Sequence, residues 1–190
     1  MTPRAIVRLP RKRRPLAALL QGGGAALAAV FVLAGCSAKK DDRACPRVEV
    51  VGELSRLVKF ADGPGRDPSD MLYVARITDV KSGCVYDRRG VTVDMVVSIV
   101  GERARAGAKL KNADIAYFVA ITDGSQAIVG KKVFTSRLDL TADQPRIDDE
   151  LDQIIPLSST AATAANHTII VGFQLTPEQI DYNQKGKRGN

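Results

Sequence analysis

The chain has 190 residues and a formal net charge of +7, from 28 basic and 21 acidic residues. All of the acids lie after residue 35, whereas six basic residues lie before it, so residues 36–190 carry 22 basic and 21 acidic residues and a net charge of +1. This balance excludes a strongly basic nucleic-acid-binding domain. The 155 residues from 36 onward suit one domain with a core of its own.

Residues 1–35 have the pattern of a secretory signal peptide. Residues 1–15 are basic without an acid, residues 16–34 are almost entirely apolar or glycine, and Gly35 and Cys36 follow. A positive region, an apolar region and a small-residue cleavage site predict a segment that is removed on export. An uncleaved transmembrane helix is the alternative, although glycines in the run lower its helix propensity. The arginine pair that ends the basic region leaves a twin-arginine export route as a further alternative.

The stretch Leu33-Ala34-Gly35-Cys36 resembles the lipobox of bacterial lipoproteins. The resemblance implies cleavage between Gly35 and Cys36, with a thioether-linked diacylglycerol on Cys36 and usually a third acyl chain, such as palmitate, on its amino group. Two or more acyl chains hold a protein firmly at a membrane. Because Ser37 rather than Asp follows the cysteine, the resemblance favours the outer over the inner membrane, with the protein facing the periplasm. No cofactor besides this covalent lipid is expected.

The residues after the lipidation site predict a tether and a disulfide. Residues 36–44 are small and charged and precede a predicted globular domain over residues 45–183. With Cys36 lipidated, Cys45 and Cys84 remain, and two cysteines of an exported protein are most simply paired. This bridge would stabilise the fold by about 4 kcal/mol on the loop-entropy model. Two free thiols are the alternative, and no metal site is expected because no further ligand cluster accompanies the cysteines.

Apolar residues recur with a period of two beyond residue 45, which is typical of half-buried strands. Asp87–Gly90 and Asp123–Ser125 are predicted hairpin connections between them. Nine segments are predicted to be strands: Val48–Val51, Leu54–Phe60, Met71–Val80, Cys84–Tyr86, Val91–Ile99, Ile115–Ile121, Phe134–Leu140, Ile147–Ile155 and Ile169–Leu175.

One short helix is predicted near the C-terminus. Thr176 is a suitable N-cap, Pro177 suits the first helical position, and Gln179 completes a capping box. We expect about two turns, followed by a disordered polar tail over residues 184–190. Seven to nine strands with turns between them predict an all-β fold, which we interpret as an immunoglobulin-like antiparallel β-sandwich. The chain has no Trp, so it lacks the buried tryptophan of antibody-type domains.

Few residues are candidates for chemistry, and no catalytic residue is predicted. His167, the single histidine, begins a strand after a flexible loop and is expected at the rim. The acidic run Asp148–Asp152 lacks the glycine of a calcium loop, so we expect a solvated strand start or edge. Loops on a rigid sandwich commonly carry recognition. The preferred contact loop is the one that contains Gly63, Gly65, Arg66 and Asp67.

Five short motifs from Cys45 onward carry a resemblance: Cys45-Pro46, Gly65-Arg66-Asp67, Cys84-Val85-Tyr86-Asp87, Gly90-Val91-Thr92-Val93 and Val171-Gly172-Phe173-Gln174-Leu175-Thr176-Pro177-Glu178-Gln179. With these motifs the chain resembles a group of uncharacterised lipoproteins of Gram-negative bacteria. This resemblance spans most of the domain and implies membrane anchoring and a β fold, but it supplies no catalytic residue.

Three functions follow as hypotheses. The first is a non-enzymatic interaction or assembly module of the cell envelope, which presents loops or an edge strand to an envelope protein or polymer. The second is a ligand- or solute-binding periplasmic lipoprotein, which needs a pocket between the sheets lined by side chains such as Tyr117 or Phe173. The third is an envelope-polymer hydrolase, which needs two carboxyl groups that face each other across a cleft.

Overall fold

The computed structural model describes residues 42–63, 66–158 and 163–188 of the chain. The predicted signal peptide, its cleavage site at Gly35 and the lipid-bearing Cys36 lie outside these residues, as does Gly65 of the predicted contact loop. Within the described part, no helix is both long enough and apolar enough to cross a membrane.

The described residues form eight strands, three short 3-10 helices and one α-helix, α1, at Pro177–Arg188. One four-stranded sheet, sheet I, has the order β1-β8-β5-β6, and the other, sheet II, has the order β2-β3-β4-β7. The strands are β1 Arg47–Val50, β2 Arg56–Phe60, β3 Met71–Asp87, β4 Gly90–Arg103, β5 Asn112–Thr122, β6 Ile128–Asp139, β7 Arg146–Ile155 and β8 Thr168–Phe173. The expected all-β fold with a C-terminal helix is therefore confirmed.

The two sheets face each other across one apolar core. Its members alternate along the strands, as the period of two predicts, and they come from both sheets. The largest fully buried side chains of this core are Tyr117, Phe173, Ile99, Ile115, Leu138, Ile169, Val91, Val93, Val97, Val119 and Val171. Val58, also fully buried, belongs to a second cluster with Phe60 and Val74, against which Tyr182 of α1 packs.

Three details differ from the predictions. The segment Cys84–Tyr86 is not a separate strand but the end of β3, because a bulge between Ile77 and Asp79 shifts the alternation by one residue and breaks the sequence pattern there. The pairing of β1 with β8 is parallel, whereas every other pair is antiparallel. Strand β6 begins at Ile128, six residues before its predicted start. The sequence pattern did not indicate this first half as a strand, because it is exposed on both faces and shows no alternation of apolar and polar residues.

The predicted disulfide is present. Cys45 lies two residues before β1 of sheet I and Cys84 lies in β3 of sheet II, with their Cα atoms 5.7 Å apart. The bond therefore joins the two sheets where the described chain begins.

The sandwich has two distinct ends. At the first, the entry end, the register places Arg47, Thr168, Thr122 and Ile128 in one row across sheet I, and the disulfide brings the β3–β4 hairpin beside it. The opposite end, the far end, contains the β2–β3, β4–β5 and β6–β7 connections and the start of α1. These two names are used below.

Candidate interaction site at the far end

A cleft of about 210 Å³ opens at the far end, between the last residues of β2, the predicted contact loop and the start of α1. We call it the helix cleft. Phe60, which is 7% exposed, contributes an aromatic surface to it, and charged side chains of both signs surround that surface. The described lining consists of Val58, Lys59, Phe60, Ala61, Asp62, Gly63, Arg66, Thr176, Glu178 and Gln179.

Side-chain amides of α1 fix the helix against β2. Gln179 donates to the carbonyl of Val58 at 3.0 Å, and Asn183 donates to the carbonyl of Arg56 at 2.7 Å. Residues four apart on a helix rise about 6.0 Å, and residues two apart on a strand advance about 6.6 Å. The two spacings are similar, so side chains four residues apart on one face of α1 can bond carbonyls two residues apart on the free edge of β2.

The helix begins as predicted but ends later. The backbone of Thr176 donates to Gln179 at 2.9 Å, and the backbone of Gln179 donates to Thr176 at 3.4 Å, which completes the capping box. Residues 184–188, expected in the tail, belong to α1. The buried Asn183 and the contact of Tyr182 with Phe60, whose ring centroids are 5.1 Å apart, hold this last part of the helix.

The predicted contact residues have different positions. Gly63 and Arg66 line the helix cleft, and Arg66 donates to the carbonyl of Gly63 at 3.2 Å while its guanidinium carbon lies 5.6 Å from the centre of the Phe60 ring. Asp67 instead caps the 3-10 helix Pro68–Asp70 by accepting from the backbone of Ser69. Hydrogen bonds from the side chain and the backbone of Ser69 lower the pKa of the Asp67 carboxyl.

Glu178 supplies the fixed negative charge of the cleft. A hydrogen bond with the Thr176 side chain, its own backbone amide and the charge of Arg66 lower the pKa of Glu178. The cleft therefore presents an anion and a cation beside an aromatic ring, a combination that suits a partner side chain with apolar and polar parts.

A second concavity at the far end, the corner groove, measures about 500 Å³. It lies between the end of β4 and the β6–β7 connection, and its described lining includes Gly101, Glu102, Asp143 and Arg146. A Cβ atom at Gly101 would collide with the Leu138 side chain, so the glycine permits the close packing beneath the groove.

A polar cluster lies between the sheets. Asp149 of β7 accepts from the Tyr117 hydroxyl at 2.7 Å and from the Ser136 hydroxyl, both in sheet I. Burial and the neighbouring Asp149 raise the pKa of Tyr117. Because Tyr117 and Phe173 are both fully buried, the described interior has no room beside them for the inter-sheet pocket hypothesised above.

The role of Asp149 was not predicted from the sequence. The acidic run lies on β7, an edge strand of sheet II, as expected, and Asp148, Glu150 and Asp152 are exposed. Asp149, however, has the same parity as the partly buried Ile147 and Leu151, so it faces the other sheet. The period of two was the signal that could have identified it.

Other candidate residues lie away from the far end. His167 directly precedes β8 at the entry end and is partly buried, and its Nδ1 atom is buried without a hydrogen-bond partner among the described residues. Among residues 42–63, 66–158 and 163–188, no group of three His, Cys, Asp or Glu side chains is arranged to hold a metal ion.

The described far end presents two concave surfaces lined by charged side chains. Neither the helix cleft nor the corner groove is lined by a histidine or cysteine in the described chain, and the Thr176 hydroxyl is engaged in the helix cap. The chain matches no protein-family model, and neither curated proteins nor solved structures include a significant match.

Proposed function

We propose that this protein is a cell-envelope lipoprotein, anchored through a lipid on Cys36, that binds a partner protein through its far end and catalyses no reaction. One observation carries the proposal: the described chain enters at one end of the sandwich, and the helix cleft lies at the other. A lipid attached upstream of residue 42 would therefore tether the sandwich by the end opposite the helix cleft.

The dimensions of the helix cleft favour a protein partner over a small molecule. Pockets for small molecules usually measure about 300–1,000 Å³. The helix cleft, at about 210 Å³, is below this range and accommodates one or two side chains of a partner. Its aromatic surface at Phe60 and its flanking Arg66 and Glu178 match the mixed apolar and polar character of interface centres.

Site-specific photo-crosslinking in native membranes tests the proposal. A photoreactive residue replaces Asp62 beside the cleft, and a matched control replaces the exposed Thr135 on the outer face of β6. We expect one envelope protein to crosslink stoichiometrically at position 62 and not at position 135. The Arg66→Glu variant should lose that product, whereas Arg105→Glu, also exposed at the far end but outside the cleft lining, should retain it. Equal crosslinking at both positions contradicts the proposal.

The corner groove supports a second candidate, a ligand- or solute-binding lipoprotein. At about 500 Å³ it falls in the range of small-molecule sites. Native mass spectrometry of protein purified from its own membranes would detect a bound molecule. Its loss on Ala142→Trp, which fills the groove, and its retention on Ala106→Trp, exposed on the β4–β5 connection, would favour this candidate.

We also propose that the sandwich is immunoglobulin-like. Its support is the packing of two four-stranded sheets with alternating inward side chains, which is the general plan of such domains. Comparison of the strand order and connections with those of such domains tests this, and a different sheet assignment for β1 or β2 would reject it.

A further inference from the structure

Large apolar side chains are exposed mainly at the entry end. Among the described residues, five such side chains are strongly exposed, and four of them lie at this end: Val85 (62%), Ile128 (65%), Val129 (58%) and Ile154 (48%). The fifth, Val133, lies further along β6. Single exposed apolar residues are common on protein surfaces, whereas several that gather in one region indicate a contact surface.

The four residues form two pairs on opposite sides of the sandwich. Val85 and Ile154 flank Thr92 in one cross-strand row of sheet II, near the β3–β4 hairpin. Ile128 and Val129 start β6 of sheet I, immediately after the β5–β6 turn. Packed sheets are about 10 Å apart. A partner that covered one outer face would reach only one pair, whereas a flat surface across the end would reach both.

The N-terminal segment joins the sandwich at this same end. Cys45 is bonded to Cys84, the neighbour of Val85, and Arg47 lies in the row of sheet I that ends at Ile128. Asp42, where the described chain begins, lies six residue steps after Cys36. A fully extended chain of that length spans at most about 22 Å. A lipid on Cys36 would therefore keep the entry end near the bilayer.

The charged residues at this end fit a headgroup layer. Basic side chains lie at this end as well, with Arg43 and Arg47 on the chain entry and Arg88 in the β3–β4 hairpin. Acids are also present, and two of them pair locally, Glu49 with Arg47 and Asp87 with Arg89. The apolar side chains are therefore the main contribution to contact, and the basic side chains of this end favour anionic lipids.

From this arrangement we infer that the entry end rests on the leaflet that holds the Cys36 lipid, with Val85, Ile128, Val129 and Ile154 inserted at headgroup level. The inference rests on the lipid anchor of the proposed function and adds an orientation to it. The strands would run roughly perpendicular to the membrane surface, and the helix cleft would point away from the membrane. A flexible tether alone would impose no such orientation.

Single tryptophan reporters test this orientation, because the chain has no tryptophan of its own. The full chain is expressed, purified from membranes and reconstituted into vesicles of phosphatidylethanolamine and phosphatidylglycerol. Ile128→Trp and Ile154→Trp report on the two apolar pairs, and Gln144→Trp, exposed in the β6–β7 connection, is the far-end control. Emission spectra are recorded with and without lipids brominated near the headgroup.

We expect the emission of both entry-end reporters to shift to shorter wavelength and lose intensity with brominated lipid, while the far-end reporter does neither. Flotation of the same vesicles distinguishes failure of the lipid anchor from failure of the orientation alone. Protein that does not float contradicts the lipid anchor and the orientation together. Protein that floats with unquenched entry-end reporters contradicts the orientation alone. A shift that grows with protein density without bromine quenching assigns the surface to a second copy and overturns the inference.

Discussion

At the entry end, a disulfide bond and hydrogen bonds of one tyrosine hydroxyl hold the chain in place. At the far end, hydrogen bonds of side-chain amides have this role. The Cys45–Cys84 bond joins the sheets, and the Tyr86 hydroxyl donates to the carbonyl of Ala44 at 2.6 Å and accepts from the backbone of Ala164 at 3.0 Å. At the far end, Gln179 and Asn183 hold α1 on β2. The entry end is therefore held by a covalent bond between the two sheets, whereas the far end is held by noncovalent contacts between α1 and β2.

The two ends also differ in what they expose. The entry end exposes four large apolar side chains, whereas the far end has two concave surfaces, one of them with Arg66 and Glu178 beside Phe60. A soft, flat surface such as a bilayer needs no concavity, but a specific partner does. Substitutions at each end test whether the two ends are independent.

Removal of the disulfide should have the largest effect. We expect Cys45→Ala/Cys84→Ala to lower the free energy of unfolding by about 4 kcal/mol, because the unfolded chain regains the entropy that a 39-residue cross-link removes. Urea unfolding monitored by circular dichroism measures the change. Reduction of the wild type should reproduce it, and reductant should leave the double variant unaffected. A loss below about 1 kcal/mol would mean that noncovalent contacts hold the entry end.

Loss of the Asn183 amide should be the largest effect at the far end. In Asn183→Ala two carbonyls, of Glu53 and Arg56, lose their donor, so we expect a loss of about 2–3 kcal/mol in the free energy of unfolding. Gln184→Ala, at the exposed neighbouring position, is the control. Amide hydrogen exchange should increase in α1 and β2 and remain unchanged around Cys84. An equal increase in amide hydrogen exchange at the entry end and the far end would contradict the independence of the two ends.

The Tyr86 hydroxyl should contribute less, because its partners lie near solvent. We expect Tyr86→Phe to destabilise the protein by about 1–2 kcal/mol, since the Ala44 carbonyl and the Ala164 amide lose one shared partner. Tyr182→Phe, which keeps the ring that packs on Phe60, is the matched control and should change stability by less. An equal effect of the two substitutions in thermal unfolding would argue against Tyr86 as a fastening point of the entry end.

The strands were predictable because their causes are local. Val91 to Ile99 alternate between core and solvent, and the Thr176 capping box is contained within four residues. The bulge at Ile77 was not predictable, because register in a long hairpin depends on the partner strand. The length of α1 was also not predictable, since Asn183 is held by carbonyls about 130 residues earlier in the chain.

The candidate site was predictable only in part, for the same reason. Loop composition indicated Gly63 and Arg66 as contact residues, and the structure places both in the lining of the helix cleft. The sequence could not indicate that Glu178 and Gln179 would complete the cleft, because more than 100 residues separate them from the loop. The sequence likewise could not indicate that the exposed pairs Ile128/Val129 and Val85/Ile154 lie at the same end of the sandwich, because only the packing of the two sheets brings them there.

The exposed ion pair at the far end should produce the smallest effect. Arg146 donates to both carboxylate oxygens of Asp148, at 2.7 and 2.8 Å, and Ser98 donates at 2.6 Å. These bonds lower the pKa of Asp148 to about 2, so its contribution to stability is present above its ordinary pKa of 3.8 and is lost as the pH falls through about 2.

Asp148→Asn should therefore lower the urea midpoint slightly at neutral pH and match the wild type near pH 2, because the protonated carboxyl no longer attracts Arg146. Asp152→Asn, on the same face of β7 and without a described hydrogen bond at its carboxylate, should shift the midpoint at neither pH. Salt should shrink the neutral-pH difference, since the pair is solvent-exposed. A difference that persists at pH 2 would mean that Asp148 acts through packing of the corner groove, so the far end would depend on shape more than on charge.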